Sequence, residues 1–304
     1  MAASGQSNWR YPAQGIIPVP YHHTMLADRH RCRAFEEAIA RVVRPGDVVF
    51  EAGAGTGLLS YFAARRARKV YAVEADPSVA ALGRALIQRN GLEGRVEYRH
   101  GLAQEQLPPE PVDVVIGEML HVALAVEQQV PVLNAVRQGL DAAHPGHPYR
   151  VVPAAAVTYC QLVEANFDFY GYEAPFTRLG SSYVADPSIR PLSGLETYHL
   201  ADFGQIVAPR IAGSCIVTTT AAGIVNAVRL CTQAIMVEPA GEQRQPDGAA
   251  GEPEEVLDWY LNFLVIPLPQ AFPAREGDTF TVSIDYEAGC VLEQIQLDVS
   301  PARS

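Results

Sequence analysis

Val48-Val49-Phe50-Glu51-Ala52-Gly53-Ala54-Gly55-Thr56-Gly57 is the stretch on which the fold of this 304-residue chain turns. An apolar run reads as a buried strand, and three alternating glycines then let the backbone turn tightly against a ligand. Leu58, Leu59, Phe62 and Ala63 follow at helical spacing and form an inward face. Val70-Tyr71-Ala72-Val73 makes a second strand ending in Glu74, nineteen positions after Gly55. A carboxylate at that place meets the two hydroxyls of a ribose. The pattern predicts an adenosine site contacted by Gly53, Gly55, Gly57 and Glu74. Lys69 is the only lysine of the chain, so the loop has no lysine for a phosphate and none for a Schiff base.

Strand and helix signals continue to alternate outward from this stretch. Asp76 and Pro77 start a helix that Asn90-Gly91 ends, Val96 to Arg99 and Val112 to Ile116 are strands, and Val122 to Leu140 reads as a helical stretch broken near Pro131. Beyond Val151 the texture changes to β-branched and aromatic runs at 156–164, 214–220, 223–237, 256–267 and 278–287, with a polar segment at 239–255 that reads as a mobile loop. The expected fold is α/β: a doubly wound, Rossmann-like parallel sheet followed by a β-barrel or β-sandwich domain. The expected division is an N-terminal cofactor-covering segment at 1–33, a Rossmann-like domain at 34–150, and a β-barrel-like acceptor and dimerisation domain at 151–304.

Composition narrows the function classes. A formal net charge of −11 argues against a nucleic-acid surface and is suited to a cationic substrate. The basic cluster Arg65-Arg66-Ala67-Arg68-Lys69 sits where cations complement the end of a helix. No stretch reads as a signal peptide or a membrane span, so a cytoplasmic address and no membrane partner are expected. The five cysteines are scattered, offer no close pair for zinc or redox work, and read as small apolar residues; no metal site is expected.

The wording Glu51-Ala-Gly-Ala-Gly-Thr-Gly resembles the S-adenosylmethionine methyltransferases of the doubly wound class. A second constellation sharpens that resemblance: Glu118 and Glu127 stand nine positions apart at the carboxyl end of a core strand. The chain is similar here to the protein arginine methyltransferases, whose double-glutamate hairpin has the same separation. Met25 to Arg31 resembles their pre-motif helix, and Pro153 with Tyr159 resembles their domain junction. The resemblance implies S-adenosyl-L-methionine as cofactor and Glu118 and Glu127 as the catalytic pair that binds the acceptor. It further implies Arg31 on the cofactor carboxylate, His22 at the cofactor's polar end and Met25 against the sulfonium. Gln104 falls where the family usually has an acid at the adenine amino group, and Glu105 is the competing candidate.

The departures lie around the acceptor. The family's Thr-His-Trp loop appears as Leu257-Asp258-Trp259, Met119 replaces a usual tryptophan, and His121 a small residue. Met119, His121, Asp258 and Trp259 are therefore the residues expected to shape the substrate pocket. An aromatic lid motif is missing, although Tyr11 and Tyr21 are present at other spacing. The segment 166–195 holds the place of a dimerisation arm, which leaves a homodimer as an expectation.

Two carboxylates suit guanidinium chemistry on physical grounds. A guanidinium is planar, permanently charged and carries five donors in a fork, so paired carboxylates can fix one nitrogen in space. Holding that nitrogen in line with a methyl–sulfur bond supplies much of a rate advantage. The expected function is N-methylation of an arginine-like group in a protein, a peptide or a free metabolite. Two other readings remain open: a small-molecule N-, O- or C-methyltransferase on the same scaffold, and a non-catalytic adenosine-binding module.

Overall fold

The computed structural model describes residues 19–237 and 258–302. The polar segment at 239–255, Leu257 and Tyr11 lie outside the described residues, and so does the side chain of Asp258. The chain opens with α1 (Val19–Ala27) and α2 (Arg29–Val42). Where one helix is expected through Met25 to Arg31, the structure has two, broken at Asp28. The reason is local: Asp28 takes an extended conformation and its carboxylate accepts the Arg31 amide at 3.0 Å, an N-cap that starts a new helix.

Five parallel strands follow: β1 (Val48–Ala52), β2 (Lys69–Glu74), β3 (Val96–His100), β4 (Val114–Gly117) and β5 (Arg150–Val152), in the spatial order β3-β2-β1-β4-β5. Every residue of β1 is buried, as a strand covered on both faces requires. Between the strands run α3 (Leu58–Ala64), α4 (Pro77–Arg89) and α5 (Gln129–Ala143). In α3, Leu59 and Ala63 are buried as expected, whereas Leu58 and Phe62 are only half-buried. Asp76 caps α4 through the Ser78 and Val79 amides, both at 2.8 Å, with Pro77 opening the helix. The strand order reverses between β1 and β4, so the carboxyl ends of these two strands form the crevice where open α/β sheets bind ligands.

The expected helix from Val122 to Leu140 is corrected. Its first half is an irregular loop, and α5 begins only at Gln129. Pro131 lies in the first turn of α5, where its missing N–H is not needed, so it does not break the helix.

The second half is antiparallel. It comprises β6 (Ala155–Ala165), β7 (Asp168–Phe169), β8 (Tyr172–Glu173), β9 (Arg178–Gly180), β10 (Ile189–Pro191), β11 (Glu196–Asp202), β12 (Arg210–Thr218), β13 (Gly223–Ile235), β14 (Asp258–Tyr260), β15 (Phe263–Ala274), β16 (Thr279–Glu287) and β17 (Gln296–Pro301). One sheet has the path β10-β6-β13-β15-β9, with β11 on β6 and β14 on β13; β12-β16-β17 form another. The two sheets press together along β11 and β12, where a Cβ on Gly213 would come within 2.8 Å of the Tyr198 carbonyl oxygen. β16 alternates inward and outward residues, with Phe280, Val282, Ile284 and Tyr286 buried. One continuous apolar core contains Phe35, Phe50 and Ile116 of the α/β layer together with Leu230, Leu264 and Ile284 of the β layer. The β layer is therefore packed as a foundation beneath the crevice. Among the described residues no helix is long and apolar enough to cross a membrane.

Candidate active site

Two adjoining cavities, of about 150 and 280 Å³, open at the crevice. Met25, Arg31, Glu118 and Glu127 line both of them, so these four side chains form the wall between the two.

The first cavity is built on the glycine loop. Gly53, Gly55 and Gly57 all have positive φ, and the Gly53 and Ala54 amides are tied to the Val73 carbonyl at 3.0 and 2.9 Å. A side chain would not fit there: a Cβ on Gly53 would meet Met119 at 3.0 Å, and one on Gly55 would meet the His22 ring at 3.2 Å. Glu74 ends β2 at the cavity wall and braces the loop, accepting the Gly55 amide at 2.9 Å and the Asp76 amide at 2.9 Å. Each carboxylate oxygen has a second lone pair for a hydroxyl. His22, Met25 and Gln104 also line this cavity, whereas Glu105 is exposed and does not. Of the two candidates for an adenine amino group, only Gln104 lines this cavity; the short helical turn at Ala103–Glu105 points successive side chains in different directions.

Glu51 lies at the floor of the same cavity, bonded to the Ser60 hydroxyl. Burial, opposed by the Ser60 hydrogen bonds, pushes its carboxyl up from 4.5 to about 8. At neutral pH it is mostly protonated.

Glu118 follows Gly117 directly off β4. Its carboxylate receives the Arg31 guanidinium, with Nε at 2.8 Å and Nη2 on the same oxygen, and the two side chains are 5% and 10% exposed. Arg31 itself lies against the Phe35 and Trp259 rings. Glu127 is buried opposite. Burial, and next the negative charge of Glu118, hold its carboxyl well above the ordinary carboxylate range, with Arg31 acting the other way. Two acids and one guanidinium thus share the buried wall between the two cavities.

The second cavity carries Asp28, Tyr183, His121 and Trp259 on its walls. Burial lowers His121 from 6.5 to about 4, so it adds no positive charge at physiological pH. Met119, expected at the substrate pocket, does not line this second cavity. It lines the first cavity only, folded over Gly53. Asp258 takes its place in β14 opposite Ile235, and Trp259 beside it is buried against Phe35.

The loop joining the two acids is unusual. Ala123, Leu124 and Val126 all have positive φ, at 61°, 53° and 65°. For residues with a Cβ, and above all for β-branched Val126, that conformation costs roughly 1–3 kcal/mol per residue and persists only where surroundings impose it. Gln129, almost fully buried, contributes by accepting the Met119 amide and donating to the Gly117 carbonyl, both at 2.8 Å, so that its amide group spans Glu118. Gln129 gives no sequence signal, since a Gln two places after an acid is unremarkable in composition and spacing.

The cysteines give a further correction. Cys160 on β6 and Cys215 on β12 come within 3.3 Å at sulfur, a close pair that a separation of 55 positions conceals in the sequence. The basic cluster ends α3 in surface ion pairs, Arg65 with Glu36 and Arg68 with Glu110. Among the described residues no group of three or more His, Cys, Asp or Glu side chains is arranged to hold a metal.

Comparison with known proteins identifies what the chain is similar to. The methyltransferase-domain family matches residues 49–142. The chain is 37% identical over 158 residues to an uncharacterized protein of Methanocaldococcus jannaschii, covering 52% of this chain and 60% of that one. It is 36% identical over 157 residues to protein arginine N-methyltransferase 7 of Oryza sativa subsp. indica, covering 47% of this chain and 21% of that protein. The matches thus span 60% or less of the length of these relatives. Among solved structures, the Trypanosoma brucei PRMT1 enzyme–prozyme heterotetrameric complex with AdoHcy aligns over 94% of this chain and 95% of that chain, with a TM-score of 0.73 at 18% identity. Arabidopsis thaliana protein arginine methyltransferase 10 aligns over 93% of each chain, with a TM-score of 0.69 at 17% identity. These likenesses establish the fold, a Rossmann-like parallel sheet followed by a β-barrel domain, and part of the chain is similar in sequence to an arginine methyltransferase.

Proposed function

We propose that this divergent relative of the protein arginine methyltransferases is an S-adenosylmethionine-dependent N-methyltransferase whose acceptor is a guanidinium. The single observation that carries the proposal is the wall of Arg31, Glu118, Met25 and Glu127 shared by the two cavities. A guanidinium already rests on Glu118 there, which supports a site complementary to that group.

The residues present fit the cofactor. The side-chain-free surface of Gly53 and Gly55 gives an adenosine a close backbone approach, Glu74 faces the ribose end, and Gln104 the adenine. Arg31 and Met25 line the same cavity, where Arg31 would hold the cofactor carboxylate and Met25 would lie against the sulfonium. When bound, S-adenosylmethionine supplies the electrophilic methyl group. Glu118 and Glu127 do the rest by orientation: they grip the planar cation, concentrate its positive charge on the nitrogens they hold, and leave the remaining nitrogen aimed through the shared wall. The buried surroundings strengthen the pairing with Glu118, and with Glu127 once it ionises. After transfer, the proton released from the methylated nitrogen has a carboxylate beside it.

The reading extends to a second copy of the chain as partner. Tyr170 and Tyr172 of the β7–β8 hairpin, and Phe176 just after it, are exposed in the segment expected to serve as the arm, aromatic groups suited to burial. The test of function is transfer of labelled methyl to matched acceptor sets: arginine peptides and free guanidines in one, amines, phenols and carbon acids in the other. Label in the guanidine set alone supports the proposal. Label only in the other set establishes the small-molecule alternative, and label in neither set, with no S-adenosylmethionine binding by the folded chain in calorimetry, contradicts both methyltransferase readings.

A further inference from the structure

The two proposed acceptor carboxylates belong to the α/β half, but what holds the loop between them belongs to the β half. The Ala123 amide donates to Oγ1 of Thr232 on β13 at 2.7 Å, and Oη of Tyr286 on β16 donates to the Ala123 carbonyl at 2.6 Å. Both polar groups of one left-handed residue are thereby bound from two different strands. Tyr286 is steadied in turn by the Tyr198 hydroxyl of β11 at 2.9 Å. The flanks are pinned as well, with the Gly289 amide on the Leu124 carbonyl at 2.8 Å and the Val126 amide on the Cys290 carbonyl at 2.7 Å. Thr232 is fully buried and Tyr286 nearly so, and no solvent can replace their bonds.

These hydroxyls come from three strands of the β layer, and two of them meet at a single residue, Ala123, midway between Glu118 and Glu127. An apolar Val or Phe would fill the same space, so packing alone does not call for hydroxyls at 232 and 286. What the hydroxyls add is a fixed backbone path for a loop that would otherwise relax toward ordinary φ values, and with it a fixed separation and aim of the two acids.

We propose that Thr232 and Tyr286 are positioning residues for the acceptor site: through Ala123 they hold the inter-acid loop in its left-handed form and so set how Glu118 and Glu127 face a bound cation. The proposal rests on the functional reading above. It assigns the β layer a part in substrate geometry that its distance from the cofactor cavity conceals.

The variants are Thr232→Val, Tyr286→Phe and the conservative Thr232→Ser, which keeps the hydroxyl. Three measurements go together on the full chain: amide hydrogen exchange over 118–127, S-adenosylhomocysteine affinity by calorimetry, and methyl transfer to a short arginine peptide. Thr232→Val and Tyr286→Phe are expected to speed exchange of the loop amides at least tenfold, leave S-adenosylhomocysteine affinity within about threefold, and lower kcat/KM for the peptide at least tenfold. Thr232→Ser restores each value to within about threefold of the parent. Unchanged exchange in both apolar variants overturns the proposal, as does faster exchange with kcat/KM within twofold of the parent. Should the parent methylate no guanidine at all, the functional reading fails by itself, and the exchange arm still decides whether the hydroxyls hold the loop.

Discussion

Replacing Glu51 by Gln should make the ligand-free protein more stable at pH 8 while leaving it little changed at pH 5. The side chain is buried at the cavity floor, and its folded-state value of about 8 stands far above the 4.5 of an exposed carboxyl. The unfolded chain therefore releases this proton from about pH 4.5 upward while the folded chain keeps it. Stability contributed by the protonated group is fully present below the unfolded value and drains away as pH rises, until the folded carboxyl ionises near pH 8. At about 1.4 kcal/mol per pH unit, the gap corresponds to roughly 3 kcal/mol at pH 7 and about 5 kcal/mol at pH 8. That is a large share of the ~5–15 kcal/mol that keeps a domain folded. Gln has nearly the same shape, accepts from the Ser60 hydroxyl and cannot ionise, so it removes the slope. Urea unfolding of parent and Glu51→Gln at pH 5, 6, 7 and 8 measures it directly. The stability difference should widen by about 1 kcal/mol or more with each pH step and level off above pH 8. Parallel stability curves over the whole range would refute the burial argument for Glu51.

Three further outcomes follow from the geometry. Because burial and Glu118 hold the Glu127 proton, acceptor KM should fall as pH rises, by up to about tenfold per unit, until Glu127 ionises; a parent profile identical to that of Glu127→Gln would contradict this. Gly83→Ala would thrust a Cβ to within 2.4 Å of the Tyr98 hydroxyl and 2.6 Å of the Gly55 carbonyl oxygen, displacing the glycine loop; S-adenosylhomocysteine affinity should drop at least tenfold by calorimetry, and unaltered affinity would mean the loop is not the cofactor's cradle. The double variant Tyr170→Ser, Tyr172→Ser should shift a dimer toward monomer in sedimentation velocity, and an unchanged distribution would place the copy–copy surface elsewhere.

Local chemistry made half of this site legible in the sequence. Gly53, Gly55, Gly57 and Glu74 are read from a loop and the next strand, and the Asp76-Pro77 helix start is written in two adjacent residues, since capping acts over a single turn. The loop after Glu118 was misread for the opposite reason. Val122-Ala123-Leu124-Ala125-Val126 has the composition of a helix, but its backbone is set by Thr232 and Tyr286, more than a hundred positions away. Propensity yields to such long-range bonds, and no local pattern announces them. The Cys160–Cys215 approach is hidden in the same way, by pairing across the fold, whereas the Gln129 bridge is local but has no distinctive residue pattern. The break at Asp28 was legible in principle as an N-cap within Ala27-Asp28-Arg29, yet the helical look of its neighbours outweighed it.

The most direct test of the acid clamp is the pair of constants for Glu118→Gln: the dissociation constant of S-adenosylmethionine, and kcat/KM for an arginine peptide. The account predicts cofactor affinity within about threefold of the parent and a loss of at least 100-fold in kcat/KM, because the substitution removes the charge that orients the acceptor. Turnover within tenfold of the parent, or a cofactor affinity that collapses in step with activity, would contradict it.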